Sequence, residues 1–305
     1  MLITMNQVTI GIPLYNEEKH IEAAVRSAVH QCSKLIISDN CSTDNSESIC
    51  RQLSREFPNI SYVRQTANLG AVGNFKYLLD SVDTKYFMWL GAHDVVPQDY
   101  VRKLLMTLES EKDAVLAYGN SLNIDANNQQ IKLYEYDFAE ELTSNDPKSR
   151  LLAIISQLDD CSMIHGLFVT KVLQQSWGDI NYLGGDHVLL AKIALSGKMI
   201  LNPQTQLYRR QVHINDNLQK QLIRIRGSSG SHFASARKQQ MQKTLAGLAK
   251  SHSKGLVNLY FLKSYYYLVI RFGNFSGIKV LSLAEYIVWN TARLARRLRK
   301  VISIR

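Results

Sequence analysis

The sequence predicts an α/β fold: a parallel-rich sheet covered by helices, followed by a basic helical extension. Three observations carry this. Short apolar, β-rich runs recur about every 25 residues and alternate with segments of helical periodicity, the pattern of βαβ units. Polar residues gather just after four successive runs. Charge divides the chain: residues 206–305 hold 19 Lys/Arg against two acids, Asp216 and Glu285, for a net charge of +17, whereas residues 1–205 carry −7.

VTIGI (8–12) forms the first strand and ends at Pro13, which has no N–H to give a ladder. Asn16 is placed to cap the following helix, with Glu17 and Glu18 in its first turn, where the helix dipole favours acids. Ile21, Ala24, Val25, Ala28 and Val29 then repeat at helical spacing. KLIIS (34–38) is the second strand. Asp44, with Glu47 three residues on, forms a capping-box arrangement for the next helix. ISYV (60–63) is the third strand, and a helix over about 71–82 leads to the fourth, YFMWL (86–90). A helix near 98–111 precedes AVLAYGN (114–120). Ligands of such sheets sit beyond the carboxyl ends of the strands. That rule singles out Pro13 to Glu17, Asp39 to Asp44, Arg64 with Asn68 and Gly70, and Gly91 to Asp94.

Composition narrows the function classes. With 305 residues, 46% hydrophobic and 20% charged, the chain is an ordinary globular protein with one large domain and an appendage. No run of 18 apolar residues exists, and MLITMNQVTIGIPLYNEE lacks the basic start and apolar core of a signal peptide. Cys32, Cys41, Cys50 and Cys161 form no CxxC pair, which fits a reduced cytosolic protein without a zinc ribbon. Neither GxGxxG after the first strand nor GxxxxGK[ST] is present, so any nucleotide is held by other means. Gly227-Ser228-Ser229-Gly230-Ser231 marks a boundary between residues 1–226, a mildly acidic front domain, and the basic extension 227–305.

IPLYNEE, IISDNCSTDNS, NLGAVGNF and LGAHD followed by Pro97 resemble, in order and spacing, the nucleotide-sugar half of family 2 glycosyltransferases. The resemblance implies the glycosyltransferase A fold, a Rossmann-like mixed sheet flanked by helices. It also implies transfer of a sugar, of the hexosyltransferase type, from a nucleotide diphosphate sugar with inversion of the anomeric centre. Pro13, Tyr15, Asn16 and Glu17 match the family's first nucleotide loop. Asp39 matches the acid that meets base or ribose, though an Asp after a strand equally caps a turn. Arg64 matches a residue near the base, or is a solvated surface Arg. Asn68 and Gly70 match a loop over the nucleotide, where Gly70 also suits a positive φ.

The family places an Asp-x-Asp-like motif after the fourth strand, holding Mn2+ or Mg2+ against the departing diphosphate. Here it reads Gly91-Ala92-His93-Asp94, so one usual acid is replaced. Asp94 remains an oxygen ligand. His93 is either a ligand better suited to Mn2+ than to Mg2+ or a neighbour that touches the nucleotide and orients the ligands. Asp186, after Gly184-Gly185 and before VLLAKIALSGK, matches the base that takes the acceptor proton. It is also a natural N-cap, and His187 is an alternative base. LYRRQVHIND resembles the family's late strand and loop near the diphosphate, which implies that His213 completes the metal shell or contacts phosphate and that Arg210 holds phosphate; a surface strand with ordinary basic residues is the alternative. His165-Gly166 and Trp177 lie where the family shapes the acceptor side, with a core role the competing reading for Trp177.

Residues 286–305 combine Arg293, Arg296, Arg297, Arg299, Lys300 and Arg305 with Trp289 and the stripe Leu294, Leu298, Val301. A basic amphipathic helix of this kind suits the anionic inner face of a cell membrane, and a helix packed on the catalytic domain is the alternative. Nucleic acid is a weaker partner for a chain whose front domain is acidic and lacks nucleic-acid motifs. The expected protein is therefore a cytoplasmic, peripherally membrane-bound transferase acting on a glycan or lipid-linked acceptor. The implied setting is bacterial surface polysaccharide synthesis, such as capsule or lipopolysaccharide. The rival is a non-catalytic nucleotide-sugar or glycan binder with a degenerate metal motif.

Overall fold

The computed structural model describes residues 5–158, 160–178, 180 and 184–212. The domain boundary expected near residue 226, the extension 227–305 and His213 lie outside the described residues. β1 (Val8–Leu14), β2 (Lys34–Asp39), β3 (Ile60–Arg64) and β4 (Tyr86–Trp89) run parallel. β5 (Ala114–Ile124), β6 (Gln130–Tyr134), β7 (Leu167–Val169) and β8 (Lys198–Arg210) complete one sheet of order β3-β2-β1-β4-β7-β5-β6, with β8 paired to β5. β7 is antiparallel to both β4 and β5, and β8 is parallel to β5, so the sheet is mixed as expected.

α1 (Ile21–Ala28), α2 (Ser46–Glu56), α3 (Gly70–Asp80) and α4 (Tyr100–Ser110) are the crossovers between the first five strands. α5 (Pro147–Gln157), α6 (Thr170–Ser176) and α7 (Gly185–Ser196) follow. The apolar stripe predicted for α1 is the one it buries: Ile21, Ala24, Val25 and Ala28. Alternation along the strands feeds two layers of core. Val8, Ile10, Ile12, Leu35, Ile37, Met88 and Leu90 pack with α1 and α4 on one side. Phe87 and Trp89 belong to an aromatic cluster with Phe75, Phe168 and Trp177, at centroid distances of 5.0–6.0 Å. Trp177 is thus a core residue, 7% exposed.

Four local expectations change. Asp44 does not cap α2, whose cap position is Asn45 without a side-chain bond; Asp44 instead accepts from Ser46 N (3.0 Å) and Glu18 N (3.0 Å), tying two loops together. Pro13 lies inside β1, paired in register with Ser38, because β4 accompanies β1 only as far as Gly11 and leaves that side of Pro13 without a ladder to break. Asn16 does not cap α1, which starts five residues later behind His20; instead Asn16 has φ 53° and its side chain accepts from Thr43 N at 2.8 Å. Asp186 is inside the first turn of α7 rather than before it, since Gly184 takes the cap position with φ 81°.

Candidate active site

The loops after β1, β2 and β3 are stitched together by side chains. Asn16 N donates to Ser42 Oγ (3.0 Å), Glu17 N to Ser46 Oγ (3.1 Å) and Glu18 N to Asp44 Oδ2 (3.0 Å). Asn40 donates to Asn68 Oδ1 (2.9 Å) and accepts from Leu69 N (2.7 Å), while Gly70 N donates to Asn68 Oδ1 (2.8 Å). Asn68 and Gly70 (φ 73°) therefore form a loop braced on the end of β2. Cys41 also holds a positive φ, 65°, a conformation uncommon for a side chain of its kind and maintained here by its bonded neighbours.

Asp39 ends β2 and is fully buried. Its Oδ1 accepts from Ser42 N (2.8 Å), and its Oδ2 accepts from Tyr62 Oη (2.7 Å) and Arg64 Nη1 (3.0 Å). Both oxygens are engaged, so Asp39 acts on its surroundings by holding Tyr62 and Arg64 rather than by presenting a bare carboxylate. Burial, together with Asp39, keeps the Tyr62 phenol protonated well above its ordinary range. Arg64 pairs in register with Asp39 across β2 and β3, also reaches Ser42 O (2.8 Å), and stays partly exposed. Tyr15 (41% exposed) and Leu69 (45%) are large apolar side chains open to solvent beside this cluster.

His93 lies between two carboxylates. Its Nδ1 is 2.9 Å from Glu17 Oε1 and its Nε2 is 3.8 Å from Asp94 Oδ1. Burial opposes a charged imidazole, but Glu17 and Asp94 outweigh it and raise the His93 pKa. Asp94 is 2% exposed; its Oδ1 accepts from Arg210 N (2.9 Å), and its Oδ2 has no hydrogen bond among the described residues. Gly91 makes room for that oxygen, because a Cβ there would run into Asp94 Oδ2. The Asp94 carboxylate oxygen fits a hard divalent cation whose other ligands come from substrate phosphates and water, with His93 held beside it by Glu17.

The two arginines at the end of β8 divide their work. Arg210, expected on phosphate, is buried, and its guanidinium is spent on His93 O (3.1 Å), Asp125 O (2.8 Å), Ala126 O (3.3 Å) and Asn128 Oδ1 (2.7 Å). It clasps the turn between β5 and β6. Arg209 points the other way, donating to Asp160 Oδ2 (2.6 Å) and Ser162 Oγ (3.2 Å). Burial works against its charge, yet Asp160 and Asp94 hold its pKa above the ordinary value. Asp94 thus acts on Arg209 through its charge as well as on His93. Sequence reasoning missed Arg209 because two consecutive strand residues face opposite sides, and choosing between them needs the register, here Asn123 opposite Arg209. Tyr62 was within reach of reading, since it lies two residues before Arg64 on the same face of β3.

Asp186 carries its carboxylate partly in solvent at the start of α7. Burial disfavours its charge, but hydrogen bonding and electrostatic interaction with His187, with a further hydrogen bond from Cys161, bring the pKa down to about 2. Its Oδ1 accepts from His187 N (2.9 Å). His187 Nδ1 is 3.1 Å from Cys161 Sγ and Nε2 is 3.2 Å from Leu158 O. His165 bonds Trp89 O through Nδ1 (3.1 Å), and burial lowers its pKa.

The description Glycosyl transferase family 2 matches residues 9–166, a little over half of the 305. Among curated relatives, glycosyltransferase GlyA of Streptococcus pneumoniae is 24% identical over 69% of this chain and 31% of its own length. Glycosyltransferase GlyG of the same organism is 22% identical over 67% of this chain and 71% of its own. The chain spans only about a third of GlyA and of an uncharacterized glycosyltransferase from Haemophilus influenzae. Among solved structures, S. aureus TarS 1-349 in complex with UDP-GlcNAc superposes with a TM-score of 0.60 at 14% identity, covering 94% of this chain and 79% of that one. That likeness establishes a shared fold. With the four loop motifs in family order on that fold, and the family match spanning more than half its length, the chain belongs to glycosyl transferase family 2.

Proposed function

We propose that the protein transfers a sugar from a nucleoside diphosphate sugar to a hydroxyl of a glycan or lipid-linked acceptor, with inversion. The observation that carries the reading is the Glu17–His93–Asp94 cluster at the carboxyl edge of β1 and β4. Tyr15 and Arg64 meet the nucleoside, with Asp39 fixing Arg64 from behind and the Asn68–Gly70 loop beside them. A divalent cation, Mn2+ or Mg2+, held by Asp94 with His93 adjacent, would neutralise the charge that gathers on the diphosphate. Arg209 adds a fixed positive charge on that side.

Asp186 is the proton acceptor in this reading. The acceptor oxygen bonds to the anomeric carbon as the bond from that carbon to the diphosphate oxygen breaks, and the hydroxyl proton passes to the Asp186 carboxylate. A carboxylate with a pKa of about 2 is ionised throughout the neutral range. It takes the proton only as the new bond forms and the hydroxyl becomes acidic. Among the described residues no helix is long and apolar enough to cross a membrane. The basic stripe of residues 286–305 supports peripheral attachment to an anionic inner membrane face, with the enzyme in the cytoplasm.

The test is turnover of labelled UDP-, GDP- and dTDP-sugars with Mn2+, starting from UDP-GlcNAc because TarS is seen with it. Cleavage or transfer of one donor is expected. Donor binding without any cleavage would favour the non-catalytic binder, and no binding at millimolar donor would end the reading.

A further inference from the structure

We propose that Cys161, Asp186 and His187 form a second metal site, distinct from the one at Asp94, that takes a thiophilic divalent cation of the Zn2+ class and sequesters Asp186 when filled. Cys161 comes from the segment before β7 and Asp186 and His187 from the first turn of α7, and their ligand atoms all lie within 4.8 Å of one another. His187 Nδ1 is 3.1 Å from Cys161 Sγ and 3.8 Å from Asp186 Oδ1. The edges of a tetrahedral zinc site with a thiolate, an imidazole and a carboxylate are roughly 3.3–3.6 Å, given bonds of about 2.3 Å to sulfur and about 2.0–2.1 Å to nitrogen and oxygen. The two separations from His187 Nδ1 bracket those edges, and the third, between Cys161 and Asp186, is within 4.8 Å, so side-chain rotation closes the site.

A separate observation points the same way. His187 Nε2 lies 3.2 Å from Leu158 O. Donation to that carbonyl fixes the tautomer with its lone pair on Nδ1, facing Cys161 and Asp186, the arrangement by which metal-bound histidines are oriented. The donor set also selects the ion. Sulfur with nitrogen favours zinc over magnesium, whereas the carboxylate at Asp94 with phosphate oxygens favours the harder ions. All three residues are partly exposed, which leaves an entry path and a fourth position for water. Cys161 binds as the thiolate and releases its proton to solvent.

The metal-free full-length chain is titrated with Co2+ and followed for thiolate-to-cobalt charge-transfer absorption, which a ligand set at Asp94 cannot produce. One equivalent should develop the band, Zn2+ should abolish it, and excess Mg2+ should not. Cys161→Ser should lose the band and Cys41→Ser should keep it. In the unmutated chain, Zn2+ should slow alkylation of Cys161 at least tenfold, read by peptide mass spectrometry, with Cys41 unchanged; this arm needs no variant to fold. Absence of the band, its survival in Cys161→Ser, or equal alkylation with and without Zn2+ would overturn the site. The inhibitory consequence rests on Asp186 being the base: micromolar Zn2+ should suppress transfer in millimolar Mg2+, and a chelator should restore it. Failure of that arm with an intact cobalt band would count against the role of Asp186 and leave the metal site standing.

Discussion

Replacing Arg209 and Arg210 one at a time should produce opposite phenotypes, although the two are adjacent in sequence. Arg210→Ala removes hydrogen bonds to His93 O, Asp125 O, Ala126 O and Asn128 Oδ1. A hydrogen bond to a charged group contributes about 1.5–3 kcal/mol, and an acceptor left dry costs about 1–3 kcal/mol. The turn acceptors near Asn127 and Asn128 are exposed and can rehydrate, so the loss concentrates at His93 O, for a total of about 2–4 kcal/mol. At about 2–4 °C per kcal/mol for a domain of this size, the melting temperature should fall by about 5–15 °C. Arg209→Ala breaks an ion pair whose arginine is 38% exposed, which solvent screening limits to about 1 kcal/mol or less. If Arg209 stabilises the leaving diphosphate, however, kcat/KM should drop by about 10²–10³. Thermal melts of both variants, with steady-state kinetics on the donor that turns over, decide the matter. An Arg210→Ala chain that melts like the parent and fails to bind donor would refute this division of labour.

Other consequences follow from the same geometry. Asp186→Asn should lower kcat by about 10²–10⁴ while leaving the dissociation constant for donor unchanged in equilibrium titration; weakened donor binding would place Asp186 elsewhere. With its pKa near 2, Asp186 should contribute no acid limb to the pH–rate profile above about pH 3, so a limb that vanishes in Asp186→Asn would contradict the assignment. Asp44 has its pKa lowered: burial opposes its charge, but hydrogen bonds from Ser46 and from Glu18 N prevail. A group bound less tightly to its proton when folded stabilises above its unfolded pKa of 3.8 and loses that share as pH falls through the folded value. The stability gap between the parent and Asp44→Asn should therefore close under acid denaturation, and a gap that widens would reverse the sign. Trp89→Ala, at the centre of the aromatic cluster, should cost about 3–5 kcal/mol in urea unfolding. Deleting residues 286–305 should release the chain from anionic vesicles in sedimentation assays, and undiminished binding would reject that anchor.

The first half of the fold was legible because each strand is an apolar run with a polar end and each helix repeats its buried residues at helical spacing. The Ile21–Val25–Ala28 stripe and the four strand ends needed nothing non-local. The second half was not, because β7 slips antiparallel between β4 and β5, and β8 returns parallel to β5 from more than 70 residues away. Such long-range pairings leave no periodic signature. The site was legible as a set of loops but not as a set of contacts. Asp39 is marked by its position, whereas the Tyr62 and Arg64 groups that occupy its oxygens are set by strand pairing. The proximity of Cys161 to His187 depends on where α7 packs, which no local pattern encodes.

A crystal structure with UDP and Mn2+ tests the central claim most directly. The account predicts the uracil beside Arg64 and Tyr15, the diphosphate between Asp94 and Arg209, and the cation touching an Asp94 oxygen. A nucleotide bound away from the carboxyl edge of β1, β2 and β4, or a cation that leaves Asp94 untouched, would contradict it.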